Sequence, residues 1–203
     1  MMIRNPIDMV YSLFSQFKFN FFDEDQESFE QAWNLQTARK QGQMLPRYCP
    51  EPCLLQYGQI GMLSKQIERL YSIFPSEQVK IILFDDFINS TRSIYQEVLL
   101  FLNLNDDGRI AFPKINENKA FRFQRLHQFI NFPPKPLTYF LNYFKSLNRV
   151  RIFVIEQIKE WNSIKISRPP LTAEFRQELA DYFRNDVKRL SELLDRDLMH
   201  WVE

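Results

Sequence analysis

The sequence is poor in glycine, with 4 glycines among 203 residues. Loops that cradle phosphates through backbone N–H groups need several glycines at fixed spacings. Neither G-x-x-x-x-G-K nor G-x-G-x-x-G occurs in the chain. The residues for a glycine-rich phosphate loop are therefore missing.

Cysteine and histidine are equally scarce. The two cysteines, Cys49 and Cys53, lie in C-P-E-P-C, and the only histidines, His127 and His200, are distant in sequence. Because zinc needs further cysteine or histidine ligands close by, we expect no metal site. Two free thiols are favoured over a disulfide within so short a loop that contains proline.

Long apolar runs are also absent. No stretch approaches the roughly 18 residues that a membrane-spanning helix needs, and the first residues do not resemble a signal peptide. Apolar residues make up 45% and charged residues 25%, which is typical of a soluble globular protein. The net charge of +1 is not that of a polyanion-binding protein. We expect a single soluble, cytoplasmic domain over residues 1–203.

The start of the chain has the pattern of a strand, a tight turn and a helix. An apolar stretch at residues 1–3 is followed by Asn5-Pro6, and apolar residues then recur at helical spacing. Asn5 suits a helix N-cap because its side chain accepts a hydrogen bond from a free N–H group. Pro6 suits the first helical position because it has no N–H group to lose.

Arg4 lies just before this helix, where free N–H groups point outward. Ser12 falls on the helix face of Asp8 and Ser15, away from the apolar residues, so its hydroxyl is expected to face the same crevice as Arg4. A guanidinium, a hydroxyl and a helix N-terminus together form an anion site, and phosphate is the obvious candidate. The other interpretation is an ordinary strand–turn–helix with a surface arginine.

Other elements follow from the spacing of apolar residues. Val98, Leu99 and Leu102 are expected to face the core. The predicted strand has a continuous apolar run, which is typical of a parallel sheet covered on both faces. The expected elements are helices over 28–41, 57–74 and 93–102, a strand over 78–84, and a long final helix capped by Thr172.

Two acidic stretches need an interpretation. Asp85 and Asp86 follow the predicted strand, and a catalytic carboxylate pair is one interpretation, because paired carboxylates are driven to unequal pKa values. We favour the other, in which they cap the next helix and complement its dipole. The earlier stretch is interpreted as a solvated loop; its members are Asp23, Glu24, Asp25 and Glu27.

Residues 121–165 form an aromatic and basic subregion that prolines divide into helices. We expect one helix before Phe132, one near 137–147 and one near 150–161. Two interpretations are open. The subregion contacts an anionic membrane surface or lines a groove for an acidic acceptor, or it is an aromatic core with lysine side chains extended to solvent.

Arg4 and Ser12, spaced as R-N-P-x-D-x-x-Y-S, resemble the 3′-phosphate-binding motif of the PAPS-dependent sulfotransferases. Later blocks resemble the same family in the same order, namely F-P-S-E-Q-V at 74–79, F-L-N-L at 101–104 and the stretch from Tyr182 to Trp201. The resemblance implies that Arg4 and Ser12 hold the 3′-phosphate of the sulfate donor, 3′-phosphoadenosine 5′-phosphosulfate (PAPS), and of its product adenosine 3′,5′-bisphosphate.

The resemblance implies two further sets of site residues. The segment from Asn116 to Arg122 is similar to one beside the donor in bacterial members, so Lys119 and Arg122 are expected to contact a cofactor phosphate. A solvated basic loop is the other interpretation. Arg47 and Tyr48 lie in a stretch that is near the acceptor in the family.

The implied fold is α/β, with a parallel sheet of the P-loop nucleotide-kinase type, flanking helices and a helix-rich C-terminal half. In the family, the loop that holds the 5′-phosphosulfate and the usual catalytic base both precede the Arg4 block. We therefore expect an N-terminally incomplete domain, to which we assign no catalytic residue.

The implied function is transfer of a sulfuryl group from PAPS to a hydroxyl or amine of an acceptor. Carbohydrates, lipids and small molecules are all open as acceptors, and another chain is one source of the missing part. The alternative is an inactive remnant that binds nucleotide, or binds a partner through an exposed sheet edge. Nucleic acid is not an expected partner.

Overall fold

The computed structural model describes residues 1–20, 24–47, 49, 51–113, 119–123, 126, 129–130, 134, 148–165 and 168–203. Its described part is α/β and rich in helix. The strands are β1 (Met2–Ile3), β2 (Ile82–Leu83), β3 (Lys119–Phe121) and β4 (Ser163–Lys165). β1 pairs with β2 in parallel, with Met2 opposite Ile82, and β3 pairs with β4 in antiparallel.

Helices make up most of the remaining described structure, and none of those described has the length and apolar character to span a bilayer. Single 3₁₀ turns occur at Pro52–Leu55, Ser76–Gln78 and Met199–Trp201. The helix predicted near 137–147 lies outside the described residues. Of the helix predicted before Phe132, the structure describes Leu126, Phe129 and Ile130, and these three are helical. The described helices are α1 (Pro6–Asn20), α2 (Phe29–Asn34), α3 (Gln36–Lys40), α4 (Tyr57–Ile60), α5 (Leu63–Ile73), α6 (Phe84–Asn89), α7 (Thr91–Phe101), α8 (Asn148–Asn162) and α9 (Ala173–Leu194).

The hydrophobic core lies around α9, which packs against α5 and α1. Thr172 caps α9 by accepting a hydrogen bond from the N–H of Phe175, as predicted. Gly61 separates α4 from α5, and a Cβ atom there would overlap the ring of Phe183. The core face of α9 follows the predicted spacing, although Tyr182 is 46% exposed; its buried apolar residues are Phe175, Leu179, Ala180, Phe183, Val187 and Leu190.

Two predictions for residues 78–102 are wrong, one about the length of a strand and one about the burial of a helix. The strand predicted over 78–84 is limited to Ile82–Leu83, because β1 offers only two residues for pairing and Phe84 already begins α6. The predicted core face of α7 is also wrong, since Val98 and Leu99 are half-buried and Leu102 is 54% exposed. These residues lie beside an open apolar cleft of about 420 Å³, lined among others by Met1, Leu70, Phe74, Val98, Phe101 and Leu102.

The described side chains of α8 are mostly exposed, including Ile152, Phe153, Val154 and Trp161. The aromatic-core interpretation of residues 121–165 does not hold for these side chains. The surface-contact interpretation stays a prediction.

The solvated-loop prediction is wrong for Glu24, which is 3% exposed. Its carboxylate accepts two hydrogen bonds from the guanidinium of Arg39, each 2.7 Å long, and one of 2.7 Å from the hydroxyl of Tyr57. Arg39 is 1% exposed, so a buried cation compensates a buried anion. Burial by itself raises the pKa of Glu24, but the hydrogen bonds from Arg39 and Tyr57 outweigh it and the pKa is lowered.

Replacing Arg39 with methionine leaves the carboxylate of Glu24 buried without its cation. We expect the free energy of unfolding in urea to fall by about 3–5 kcal/mol, the usual cost of breaking a buried ion pair. Arg189→Met is the matched control, because Arg189 pairs with Glu68 at 2.7 Å on the surface and such pairs contribute about 0–1 kcal/mol. Equal losses in the two variants would contradict the structural role of the buried pair.

The lowered pKa of Glu24 also predicts a pH dependence. A carboxyl whose folded pKa is depressed stabilises the fold fully above its unfolded pKa, about 4.3, and this contribution is lost as pH falls through the folded value. We expect Glu24→Gln to be less stable than wild type near neutral pH and to lose less stability below about pH 4.3. Parallel pH profiles of unfolding for the two proteins would contradict the assignment.

Candidate functional site

The candidate site lies where β1 turns into α1. Ile3 at the end of β1 is 2% exposed and Ile7 in the first turn of α1 is 1% exposed, so the core holds both sides of the turn. Asn5 is buried, and its Oδ1 accepts a hydrogen bond of 2.9 Å from the N–H of Ile7. α1 begins at Pro6. The predicted turn, with Asn5 as N-cap and Pro6 at the first helical position, is confirmed.

This turn is tied to the C-terminal end of the chain. The side-chain amide of Asn5 donates a 3.0 Å hydrogen bond to the backbone oxygen of Trp201. The indole Nε1 of Trp201 donates in turn to Asp85 in the first turn of α6, at 3.2 Å. The β1–α1 turn, the start of α6 and the last 3₁₀ turn therefore meet at one place.

Arg4 occupies this meeting point with its side chain half-buried. Its guanidinium carbon lies 5.2 Å from the centre of the Phe84 ring, a cation–π contact. Burial lowers the pKa of Arg4, and the positive charge of Arg168 lowers it further, while Asp8 and Asp85 act in the opposite direction. Within the described part of the chain, the guanidinium of Arg4 forms no hydrogen bond or ion pair.

The two carboxylates that act on Arg4 through space have other partners. Asp8 lies 3.5 Å from the guanidinium of Arg176, and Asp85 accepts the hydrogen bond from Trp201. The positive charge of Arg4 is therefore not neutralised by contact with either of them.

The neighbouring Asp86 also has a partner, the guanidinium of Arg196. It accepts hydrogen bonds of 2.5 and 2.7 Å from Arg196, which keep its pKa below the ordinary value. Asp85 and Asp86 lie in the first turn of α6 and complement its dipole, as the favoured interpretation expects. The capping part of that interpretation is wrong, because the N-cap residue is Leu83 and α6 has no side-chain cap.

Arg168 is a neighbour of the site that the sequence patterns did not single out. Its guanidinium carbon lies 5.6 Å from the centre of the Tyr11 ring, and its charge acts on Arg4. The hydroxyl of Tyr11 donates a 2.6 Å hydrogen bond to the backbone oxygen of Pro169. The one signal in the sequence is a basic residue directly before Pro169-Pro170, where the backbone is restricted to an extended conformation.

Ser12 lies next to Tyr11 on α1 and is half-buried. Its hydroxyl makes no hydrogen bond within the described residues. The structure thus places Arg4 and Ser12 on one strand–turn–helix unit, separated by about two helical turns along the chain.

The second set of predicted residues lies at β3. The strand that carries Lys119 contacts α1, while the side chain of Lys119 lies outside what the structure describes. Arg122 is exposed, and its guanidinium carbon lies 5.4 Å from the centre of the Trp161 ring. Arg122 is not brought against Arg4 by any described contact.

The residues expected near an acceptor stay largely untested. Arg47 is exposed, and Tyr48 lies outside the described residues. Cys49 and Cys53 are not joined in a disulfide. Among the described residues, no group of three or more His, Cys, Asp or Glu side chains is placed to hold a metal ion.

Comparisons with known proteins point to one family. The sulfotransferase domain family matches residues 1–191 of the chain. The chain is similar in structure to a sulfotransferase from Alicyclobacillus acidocaldarius, with a TM-score of 0.61 and 21% sequence identity. That similarity covers all of this chain and 56% of the other, and it shows the fold. A comparison with curated proteins gives no match.

The cap at the β1–α1 turn leads to a stability prediction. Asn5→Ala removes the acceptor for the N–H of Ile7 and the donor to Trp201, and we expect it to lower the free energy of unfolding by about 1–2 kcal/mol. Asn5→Ser keeps a capping oxygen and should lose less. If alanine and serine at this position cost the same in urea denaturation, the cap does not stabilise the turn.

Proposed function

Since the chain belongs to the sulfotransferase domain family, we propose that it binds PAPS and takes part in transfer of the sulfuryl group to a hydroxyl or amine of an acceptor. The observation that carries the donor assignment is the half-buried guanidinium of Arg4, which has no anionic partner among the described residues. Desolvating a guanidinium without an anion is unfavourable, and a bound phosphate provides the compensating charge. A sheet of the P-loop nucleotide-kinase type belongs to the same proposal.

In this proposal Arg4 and Ser12 have separate roles. Arg4 donates hydrogen bonds to the 3′-phosphate, and the ring of Phe84 holds its guanidinium in place. Ser12 donates its hydroxyl, which makes no other hydrogen bond within the described part. When bound, the donor supplies the activated sulfuryl group, and this chain's residues position it. We assign no residue a role in moving the acceptor proton.

Lys119 and Arg122 complete the proposed donor site as a second set of cations. The contact between β3 and α1 supports their inclusion, because it brings this strand to the helix that carries Ser12. The ring of Trp161 orients Arg122 and leaves it exposed to solvent.

A second candidate function is a binding module without catalysis. The observation that favours it is the exposed apolar surface beside the two-stranded parallel sheet, where Met1 is 43%, Phe74 46% and Leu102 54% exposed. Parallel sheets are normally covered on both faces, so such a surface is suited to contact with further polypeptide.

Isothermal titration with adenosine 3′,5′-bisphosphate tests the donor site. We expect Arg4→Ala to weaken binding roughly 10- to 150-fold, because hydrogen bonds to charged groups contribute about 1.5–3 kcal/mol. Ser12→Ala should weaken it roughly 2- to 12-fold, as for a neutral hydroxyl. Arg69→Ala, an exposed arginine on α5, is the control and should bind like wild type.

Absence of binding by a folded wild-type chain would contradict the donor assignment. A transfer assay with labelled PAPS and carbohydrate, lipid and small-molecule acceptors then separates the two candidate functions. Binding of the bisphosphate without any transfer would favour the binding module.

A further inference from the structure

α8 leaves apolar side chains exposed along much of its length. Ile152, Phe153 and Val154 follow one another and are all exposed, Phe153 by 62%. A surface helix normally buries its apolar stripe against the core. On α8 that stripe, formed by Val154, Ile158 and Trp161 at positions i, i+4 and i+7, has both its end residues exposed. The helix therefore presents apolar surface that the described structure does not cover.

This apolar surface continues onto the loop after β3, where a buried side chain holds the backbone. The ring of Phe123 is exposed and stacks on that of Trp161, with 5.8 Å between the ring centres. Asn162 is fully buried, and its Oδ1 accepts a 2.8 Å hydrogen bond from the N–H of Phe123. Its Nδ2 donates one of 3.0 Å to the carbonyl oxygen of Phe123. These rings are thus exposed as part of the folded arrangement. We call the exposed apolar side chains the α8 surface; its members are Phe123, Ile152, Phe153, Val154 and Trp161.

The segment that carries the α8 surface is strongly basic. Residues 121–165 contain eight lysines and arginines, two glutamates and no aspartate, although the whole chain has a net charge of only +1. Positive charge is therefore concentrated in this segment, and two of its arginines, Arg149 and Arg151, belong to α8. An anionic lipid surface attracts each lysine or arginine that lies close to it.

Exposed rings and basic charge together favour a bilayer over an acidic protein as the partner. An acidic protein surface neutralises cations but offers little apolar area, whereas the boundary between lipid headgroups and acyl chains accepts both. α8 also carries Glu156, Lys159 and Glu160 among its apolar residues. An amphipathic helix of this kind lies in the plane of the interface.

We propose that the α8 surface binds anionic lipid bilayers. The side chains of Phe153 and Trp161 enter the headgroup boundary, and the basic charge of residues 121–165 is attracted to the anionic lipids. The inference uses neither Arg4 nor Ser12, so it stands independently of donor binding. It goes beyond the proposed function because it gives the protein a further partner, a membrane surface.

Cosedimentation with vesicles tests the apolar contact. We expect the chain to bind vesicles made of equal parts phosphatidylcholine and phosphatidylserine, to bind phosphatidylcholine vesicles much more weakly, and to be released as salt screens the charges. Phe153→Ser should weaken binding to the anionic vesicles roughly 5- to 20-fold, since 62% of this side chain is still exposed to water. Leu100→Ser is the matched control, because Leu100 is exposed on α7, outside the basic segment.

The contribution of charge is tested on α8 itself. Replacing both Arg149 and Arg151 with glutamine should weaken binding to the anionic vesicles roughly 5-fold for each residue, and leave binding to phosphatidylcholine unchanged. The same replacement of Lys65 and Arg69, which are exposed on α5, is the control and should bind like wild type.

Tryptophan fluorescence reports where the bilayer makes contact. Trp33 and Trp201 are buried, whereas Trp161 is 56% exposed. Entry of Trp161 into the headgroup boundary should therefore shift the emission to shorter wavelength and reduce quenching by acrylamide. Trp161→Phe keeps an aromatic ring, so it should still bind vesicles but lose the shift.

The inference is overturned by any of three results: no vesicle binding by the folded wild-type chain, equal losses for Phe153→Ser and Leu100→Ser, or binding without a change in the emission of Trp161. Binding to polyglutamate without binding to vesicles would identify an acidic protein partner and would also overturn it. Because Phe153 is exposed, Phe153→Ser should keep the Tm of wild type. If its Tm is lowered, the emission shift of the wild-type chain decides.

Discussion

The hydrogen bond from the side chain of Asn5 to the backbone oxygen of Trp201 joins residues 196 positions apart and controls the geometry of the candidate site. The same asparagine caps α1, and the same tryptophan bonds Asp85 at the start of α6. Because Arg4 precedes Asn5 and packs on Phe84, its position depends on both contacts. The end of the chain thus contributes to the site by holding its two elements together.

The buried Arg39 and the half-buried Arg4 differ in how their positive charges are compensated. Arg39 is enclosed with Glu24 and Tyr57, and its hydrogen bonds compensate the cost of burial. Arg4 is desolvated without such compensation among the described residues, and its pKa is lowered where that of Arg39 is raised. Burial is the largest influence on both and lowers both, but Glu24 reverses it for Arg39. Arg39 is thus neutralised within the fold, whereas the guanidinium N–H donors of Arg4 have no hydrogen-bond partner among the described residues.

Much of the local structure could be predicted because short-range chemistry decides it. The cap at Asn5, the proline at the first position of α1 and the cap at Thr172 all depend on neighbours within a few residues. The errors arose where distant partners decide. β2 is short because β1 is short, and Glu24 is buried because Arg39 from a later helix compensates its charge. No residue of α7 is buried, although the helix contacts α6.

The sequence by itself determined the family, through blocks spread from Arg4 to Trp201, and it determined the strand–turn–helix that carries Arg4 and Ser12. These features rest on residue order and helical periodicity, which need no knowledge of contacts. Only the tertiary structure decided that Arg168 lies against the ring of Tyr11, that Asp8 and Asp85 have partners of their own, and that Trp201 closes the turn. The physical reason is that charge compensation and hydrogen bonding are properties of neighbours in space. The residues that meet here are more than 80 positions apart along the chain, and the sequence pattern does not pair them.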